Sequence, residues 1–232
     1  MRADNSASRS ACGVTAAVTR YEHRPFDGWV LLGAVLVFLA CLPVVRSGKV
    51  PGWERAVFHA INGLPEALYR PMWLMQLVGL LLVPLAVAVV AAILRKWRLA
   101  ICLVAFIPLK LFFEKAVVKH LVERERPAAS ICAGNLSCGH FRHVPLEGLS
   151  FVSGHAVISF GVATLLAPYL TRRWQVVAYL LAVLNITARV YLGAHNPLDV
   201  VGGAALGVGI AAGLNLIAGV PVRRRTPALQ AG

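Results

Sequence analysis

The sequence predicts an all-α polytopic membrane protein, six transmembrane helices in one bundle with a short interfacial helix between the first two spans. Three observations predict it. Of the 232 residues, 58% are hydrophobic and 14% charged, with a mean hydropathy of +0.71, and a soluble domain so composed lacks the polar residues to cover its surface. The apolar residues fall into six runs, each near the ~20 residues that a bilayer core requires. The basic residues, 23 against 10 acidic, sit between those runs and not on one face of a polar domain. The net charge of +13 therefore speaks of membrane topology, and nucleic acid is not an expected partner.

Residues 1–27 carry Arg2, Arg9, Arg20 and Arg24 among Ser, Asn and Asp, and read as a polar cytoplasmic arm. The first run, about 28–45, follows that arm and precedes Arg46-Ser47-Gly48-Lys49 without a small-residue cleavage site, so it is a span and not a signal peptide. Then Trp53, Val57, Ile61 and Leu64 recur at helical spacing, with Glu54, Arg55, His59 and Asn62 on the other side. This is a short helix in the outer interface, either a plain connector or a lid over a lipid-facing site. The next runs, 71–94 and 99–118, contain Pro84 and Pro108, which are expected to kink them. Runs 154–170, 174–193 and 199–220 complete the bundle, and in the last one Gly203 with Gly207 and Gly209 with Gly213 form small-x-x-x-small steps for close helix packing. A basic cytoplasmic tail, 221–232, carries Arg223, Arg224 and Arg225.

Short loops report orientation best, because positive charge is held on the cytoplasmic side. Arg95, Lys96 and Arg98 fill one, Arg172 and Arg173 another, and the tail a third. Both termini are thus expected inside, and segments 46–70, 119–153 and 194–198 outside. Five cysteines without a C-x-x-C pair exclude a disulfide scaffold or zinc ribbon. Cys132 and Cys138, on the outer side, are expected to be bonded.

Ionisable groups near a bilayer are costly and tend to mark function. Three clusters interrupt the apolar chain: Lys119 with Arg126-Pro127, Ser153-Gly154-His155 at the start of the fourth span, and Arg189, His195 and Asp199 from the end of the fifth into the sixth. Under the expected topology all three emerge on the outer face. Singly each has a bland reading: snorkelling cations, a helix cap, a capping carboxylate at the third helical position. Together they supply three cations, a helix N-terminus, two imidazoles and a carboxylate, the parts that hold a phosphate dianion and move its phosphoryl group.

Position assigns the roles. Ser153 is the expected N-cap of the fourth span, aiming the N–H groups of Gly154 and His155 at an anion. Lys119 and Arg126 share one helical stripe if the helix persists to Glu125, with Glu123 on that stripe as a partner for Lys119. Asn196-Pro197 reads as N-cap and first helical residue of the sixth span, which puts Asp199 within reach of His195. A neutral His195 oriented by Asp199 is a nucleophile toward phosphorus, and His155 can protonate the leaving oxygen. No acidic cluster is spaced to hold a metal, so no metal or cofactor is expected. Lys110 and Glu114, four apart, read as an ion pair inside the bundle. Lys115 lies one turn before Lys119 and could reach the site, whereas His140, Arg142 and His143 could touch a headgroup but read first as a solvated loop.

With its three spaced motifs in order, the chain resembles the type-2 phosphatidic acid phosphatase superfamily over about residues 50–220. The resemblance implies a six-helix, metal-independent phosphatase domain, here 28–220, acting on lipid phosphates or diphosphates among membrane lipids. It assigns phosphate binding to Lys119, Arg126, Ser153, Gly154 and Arg189, the acid to His155, the nucleophile to His195 and its partner to Asp199. Polyprenyl diphosphate is the substrate that analogy puts first. Transfer to an alcohol is the alternative chemistry, and a transporter the non-enzymatic one. Val152 and Ala188 depart from the family pattern, which has Pro and Ser there; Ala188 removes a hydroxyl expected to contact phosphate.

Overall fold

In lipid every backbone N–H and C=O must be satisfied within its own segment, so long apolar runs become helices. The computed structural model describes residues 21–221; the expected arm up to residue 20 and the tail from 222 lie outside the described residues. Strand β1 (Tyr21–Glu22) leads into α1 (Pro25–Arg46), whose Pro25 supplies a preformed first turn. After α2 (Gly52–Asn62) come α3 (Tyr69–Met75), a 3-10 turn at Gln76–Gly79 and α4 (Leu82–Ile93). Helix α5 (Trp97–Leu111) widens into a π-helix at Phe112–Val118 and ends in the single turn of α6 (Lys119–Leu121). The short α7 (Pro127–Ser130) opens a long loop. Then follow α8 (Gly154–Leu166), α9 (Arg172–Tyr191), α10 (Pro197–Ala218) and β2 (Val220–Pro221).

Among the described residues, α1, α9 and α10 are long and apolar enough to cross a membrane, and the bent pair Glu66–Gly79 and Leu82–Ile93 makes a fourth if it is one broken span. The expectation of six is met by length only to that extent, because the runs at 71–94, 99–118 and 154–170 are interrupted or short as helices. The first bends by 62° where Gly79 meets α8: a Cβ added there would lie 2.7 Å from the His155 Cβ. The second leaves α-geometry four residues after Pro108, whose ring removes one helical hydrogen bond.

The burial pattern is that of a protein in lipid. Trp29, Leu36, Leu82, Ile93, Trp174 and Leu180 are exposed, while Asn185, Arg189 and Asp199 are buried. Helix α10 lies between α1 and α8 and meets α8 backbone to backbone. A Cβ on Gly203 would stand 2.6 Å from the Ser153 carbonyl oxygen, and one on Gly207 would collide with the Val157 carbonyl. Gly209 and Gly213 form no such seam; Gly213 faces open space.

Helix α10 also separates two ends of the molecule by ~33 Å at 1.5 Å per residue. At its C-terminus the Arg98 guanidinium donates to the Ala218 carbonyl at 2.6 Å and lies over the Tyr21 ring, and β1 pairs with β2. The opposite end carries the polar clusters. There Cys132 and Cys138 are joined in a disulfide.

Candidate active site

The three motifs converge at the α8 and α10 N-termini. Ser153 takes extended backbone angles as the N-cap of α8, and its N–H donates to the Asp199 carbonyl oxygen at 3.0 Å. That bond joins the second motif to the third. Arg126 joins the first to the third: Nη1 donates to the Ala194 carbonyl at 2.8 Å and Nε to Glu147 at 3.0 Å. Lys119 reaches the second motif through Glu114. Its Nζ is 3.5 Å from Glu114 Oε1, and both Glu114 oxygens would lie 2.9 Å from a Cβ on Gly154. A side chain at Gly154 would have to push the Glu114 carboxylate aside.

The stripe expected for Lys119 and Arg126 does not form. The helix stops at Leu121, Val122 turns to extended geometry and is buried, and the following strand-like segment delivers Arg126 as the N-cap of α7. Glu123 is consequently exposed, and Glu114 is the partner of Lys119. The Lys110–Glu114 pair forms as expected, at 2.5 Å, but it belongs to the site. Lys115 points outward and is exposed. Arg142, expected in solvent, is buried: it donates to the Asn62 and Tyr191 carbonyls at 3.0 and 2.7 Å and stacks on the Tyr191 ring.

His195 is buried in the turn between α9 and α10. Its Nδ1 lies 3.1 Å from the Ser150 carbonyl oxygen and 3.8 Å from Asp199 Oδ2. The first is a hydrogen bond and the second is too long for one. The carbonyl accepts only, so it fixes the tautomer with the proton on Nδ1 and leaves Nε2 as the basic nitrogen. Burial pushes the His195 pKa below its ordinary value, with the Asp199 carboxylate opposing and the charges of Arg189 and Arg126 reinforcing the shift.

Asp199 is the capping carboxylate of α10, and it lies beside His195 without a direct hydrogen bond to the ring. Its Oδ2 accepts the Asn196 N–H at 2.7 Å, closing the cap of α10, and also the Ser150 hydroxyl; Oδ1 accepts from Arg124 at 3.1 Å. Arg189 is buried and donates through Nη1 to Gln76 Oε1 at 2.5 Å. Among the described residues, Ser153 Oγ and Arg189 Nε at this site are buried without a hydrogen-bond partner, as is Glu114 Oε2, which faces the Lys110 ammonium. Buried donors are rarely left so unless something else satisfies them.

Sequence reasoning missed Arg124, Glu54, Ser150 and Gln76. Arg124 stood in a charged run beside Arg126, Glu54 on the polar side of α2, and Ser150 and Gln76 in stretches with no periodicity; none differs in type from an ordinary surface residue. Ala188, beside Arg189, is fully buried, as is Val152.

A model of the PAP2 superfamily matches residues 95–220. Lipid A 4'-phosphatase of Bacteroides thetaiotaomicron is 32% identical over 134 residues, 54% of this chain, and the match spans only 59% of that protein's length. Among solved structures, a transmembrane PAP2 type phosphatidylglycerolphosphate phosphatase from Bacillus subtilis superposes with a TM-score of 0.64 at 23% identity, over 81% of this chain and 94% of that one. LpxE of Aquifex aeolicus superposes with a TM-score of 0.51 at 26% identity, over 70% and 93%.

Proposed function

Since the chain belongs to the PAP2 superfamily, we propose that it is a metal-independent membrane phosphatase that cleaves lipid phosphates or diphosphates through a phosphohistidine. The carrying observation is the pair of unpartnered buried donors, Ser153 Oγ and Arg189 Nε, beside a histidine whose Nδ1 is already engaged. Phosphate oxygens satisfy those donors together with Lys119, Arg126 and the N–H groups at the α8 N-terminus. His195 Nε2 donates its lone pair to phosphorus, the bond to the lipid oxygen breaks, and His155 gives that oxygen a proton. Asp199 opposes the positive charge that develops on the imidazole. Water then attacks phosphorus with His155 taking its proton, the P–N bond breaks, and inorganic phosphate leaves.

Fixed cations do here what magnesium does in other phosphoryl transfers. Purified protein should release inorganic phosphate from members of a panel holding polyprenyl diphosphate, phosphatidate, phosphatidylglycerophosphate and lipid A, with equal rates in EDTA and in magnesium. The names of the relatives are the reason for the last two substrates. No release from any member, or activity lost in EDTA and restored by magnesium, counts against this reading.

Six spans and an extracytoplasmic site follow from the same reading. Their support is that the chain near Tyr21, the loop with Arg98 and the C-terminus of α10 share one end, opposite His195, and that short basic loops face the cytoplasm. A cysteine replacing the exposed Glu147, in the loop whose backbone meets Arg126 at the same end as His195, is expected to react with a membrane-impermeant thiol reagent in intact cells. Labelling only after lysis reverses the topology.

A further inference from the structure

The nucleophilic histidine of the proposed reaction is hydrogen-bonded to the Ser150 carbonyl and lies beside the Asp199 carboxylate, and Arg124, a residue within the first motif's span to which no role was assigned, touches both Ser150 and Asp199. The Arg124 main-chain carbonyl accepts the Ser150 N–H at 2.7 Å. Its side chain donates through Nη1 to Asp199 Oδ1 at 3.1 Å and through Nη2 to Glu54 Oε2 at 2.6 Å. Glu54 is fully buried on α2, and its second oxygen accepts the N–H of Leu198, in the first turn of α10, at 2.9 Å. The path from the interfacial helix to His195 is thus continuous: Glu54, Arg124, then Asp199 and Ser150.

The chemistry of this path is specific. One guanidinium bridges two carboxylates, which its planar fork can do and a single ammonium cannot match in geometry. The negative charge left over on Glu54 sits at the N-terminus of α10, where helix N–H groups and the dipole favour it. A buried ion network of this kind is weak evidence for stability, since well-packed apolar residues often serve as well or better. Its charge is therefore better explained by what it points at.

We infer that Arg124, seated by Glu54, is a positioning residue that fixes Asp199 and Ser150 and through them the orientation and tautomer of His195. This makes α2 part of the reaction machinery, more than a connector. The inference rests on the phosphatase reading, and the Asp199 Oδ2 to His195 Nδ1 distance of 3.8 Å is its motive: the carboxylate does not hold the ring by a direct hydrogen bond, so something must hold the carboxylate.

The test compares Arg124→Gln, Arg124→Lys and Glu54→Gln with the parent, each also in an Asp199→Asn background, purified in detergent with Tm and monodispersity recorded. An aryl phosphate and the best lipid phosphate serve as substrates. Arg124→Gln should lower kcat on the order of 100-fold with KM within about threefold, and Arg124→Lys should recover about tenfold of that loss. In the Asp199→Asn background Arg124→Gln should cost less than about threefold further, because both changes act on one interaction. Where Arg124→Gln does not fold, the isosteric Glu54→Gln replaces it, with an expected loss of about tenfold and the same collapse in the double variant. Unchanged kcat, or losses that simply multiply in the double variants, overturns the inference while leaving the phosphatase reading intact. A parent that releases no phosphate from either substrate overturns both.

Discussion

His195→Ala should lose on the order of 10⁴-fold in kcat while retaining much of its affinity for lipid phosphate, because the removed group acts only on the transition state and the cations remain. Acid quenching of the parent during turnover should trap an acid-labile, base-stable phosphoenzyme, and the same quench of His195→Ala should trap none. The pH profile carries the same assignment. The ring must be neutral to attack, and burial holds its pKa below the ordinary 6.5. The acid limb of kcat/KM in the free enzyme should accordingly lie below pH 6.5, with activity present above it and lost as pH falls through the lowered value. Full activity in His195→Ala, or an acid limb above 6.5 that vanishes with His195, removes the nucleophile from its role.

The second large effect depends on the substrate. If His155 protonates the departing lipid oxygen, His155→Ala should cost about 10²- to 10⁴-fold on a lipid monoester and far less on an aryl phosphate, whose leaving group needs no proton. Gly79 stands against the His155 backbone and Cβ, so the truncation removes the imidazole without disturbing the contact that seats the residue. Equal losses on the two substrates assign His155 to binding instead.

The motifs were legible because each carries residue types that a bilayer tolerates only for a reason. Ser153 as N-cap, Asn196-Pro197 opening the last helix, the Lys110–Glu114 pair and the bonded cysteines could all be read from local spacing and appear in the structure. Local reading failed where the backbone leaves regular geometry. The π-helix before Lys119 and the extended Val122 displaced the stripe expected for Lys119 and Arg126, and a bend at Gly79 to Leu81 broke a run that hydropathy alone shows as continuous.

Helix α2 marks another limit. Its amphipathic pattern was plain, with Trp53 and Val57 exposed as an interfacial helix requires. Nothing in the pattern tells that Glu54 and Asn62, on the polar side, point into protein. Their partners come from residues 70 or more positions away: Arg124, Leu198, His140 and Tyr191. Pairings of that range depend on tertiary structure, and periodicity cannot encode them.

The seam between α8 and α10 bears on how this protein should be handled in the laboratory. Gly203 and Gly207 let two main chains touch, and the Ser153 N–H is bonded across the same contact to Asp199. At these two glycines main chain meets main chain, which leaves little at that contact to rearrange when the surrounding medium changes thickness or lateral pressure. The two N-termini it unites should therefore keep their spacing in a micelle, a nanodisc or a native vesicle. Rate differences among these preparations then report on delivery of the lipid from its surroundings, and a water-soluble phosphoester, which needs no such delivery, is the reference against which to measure them.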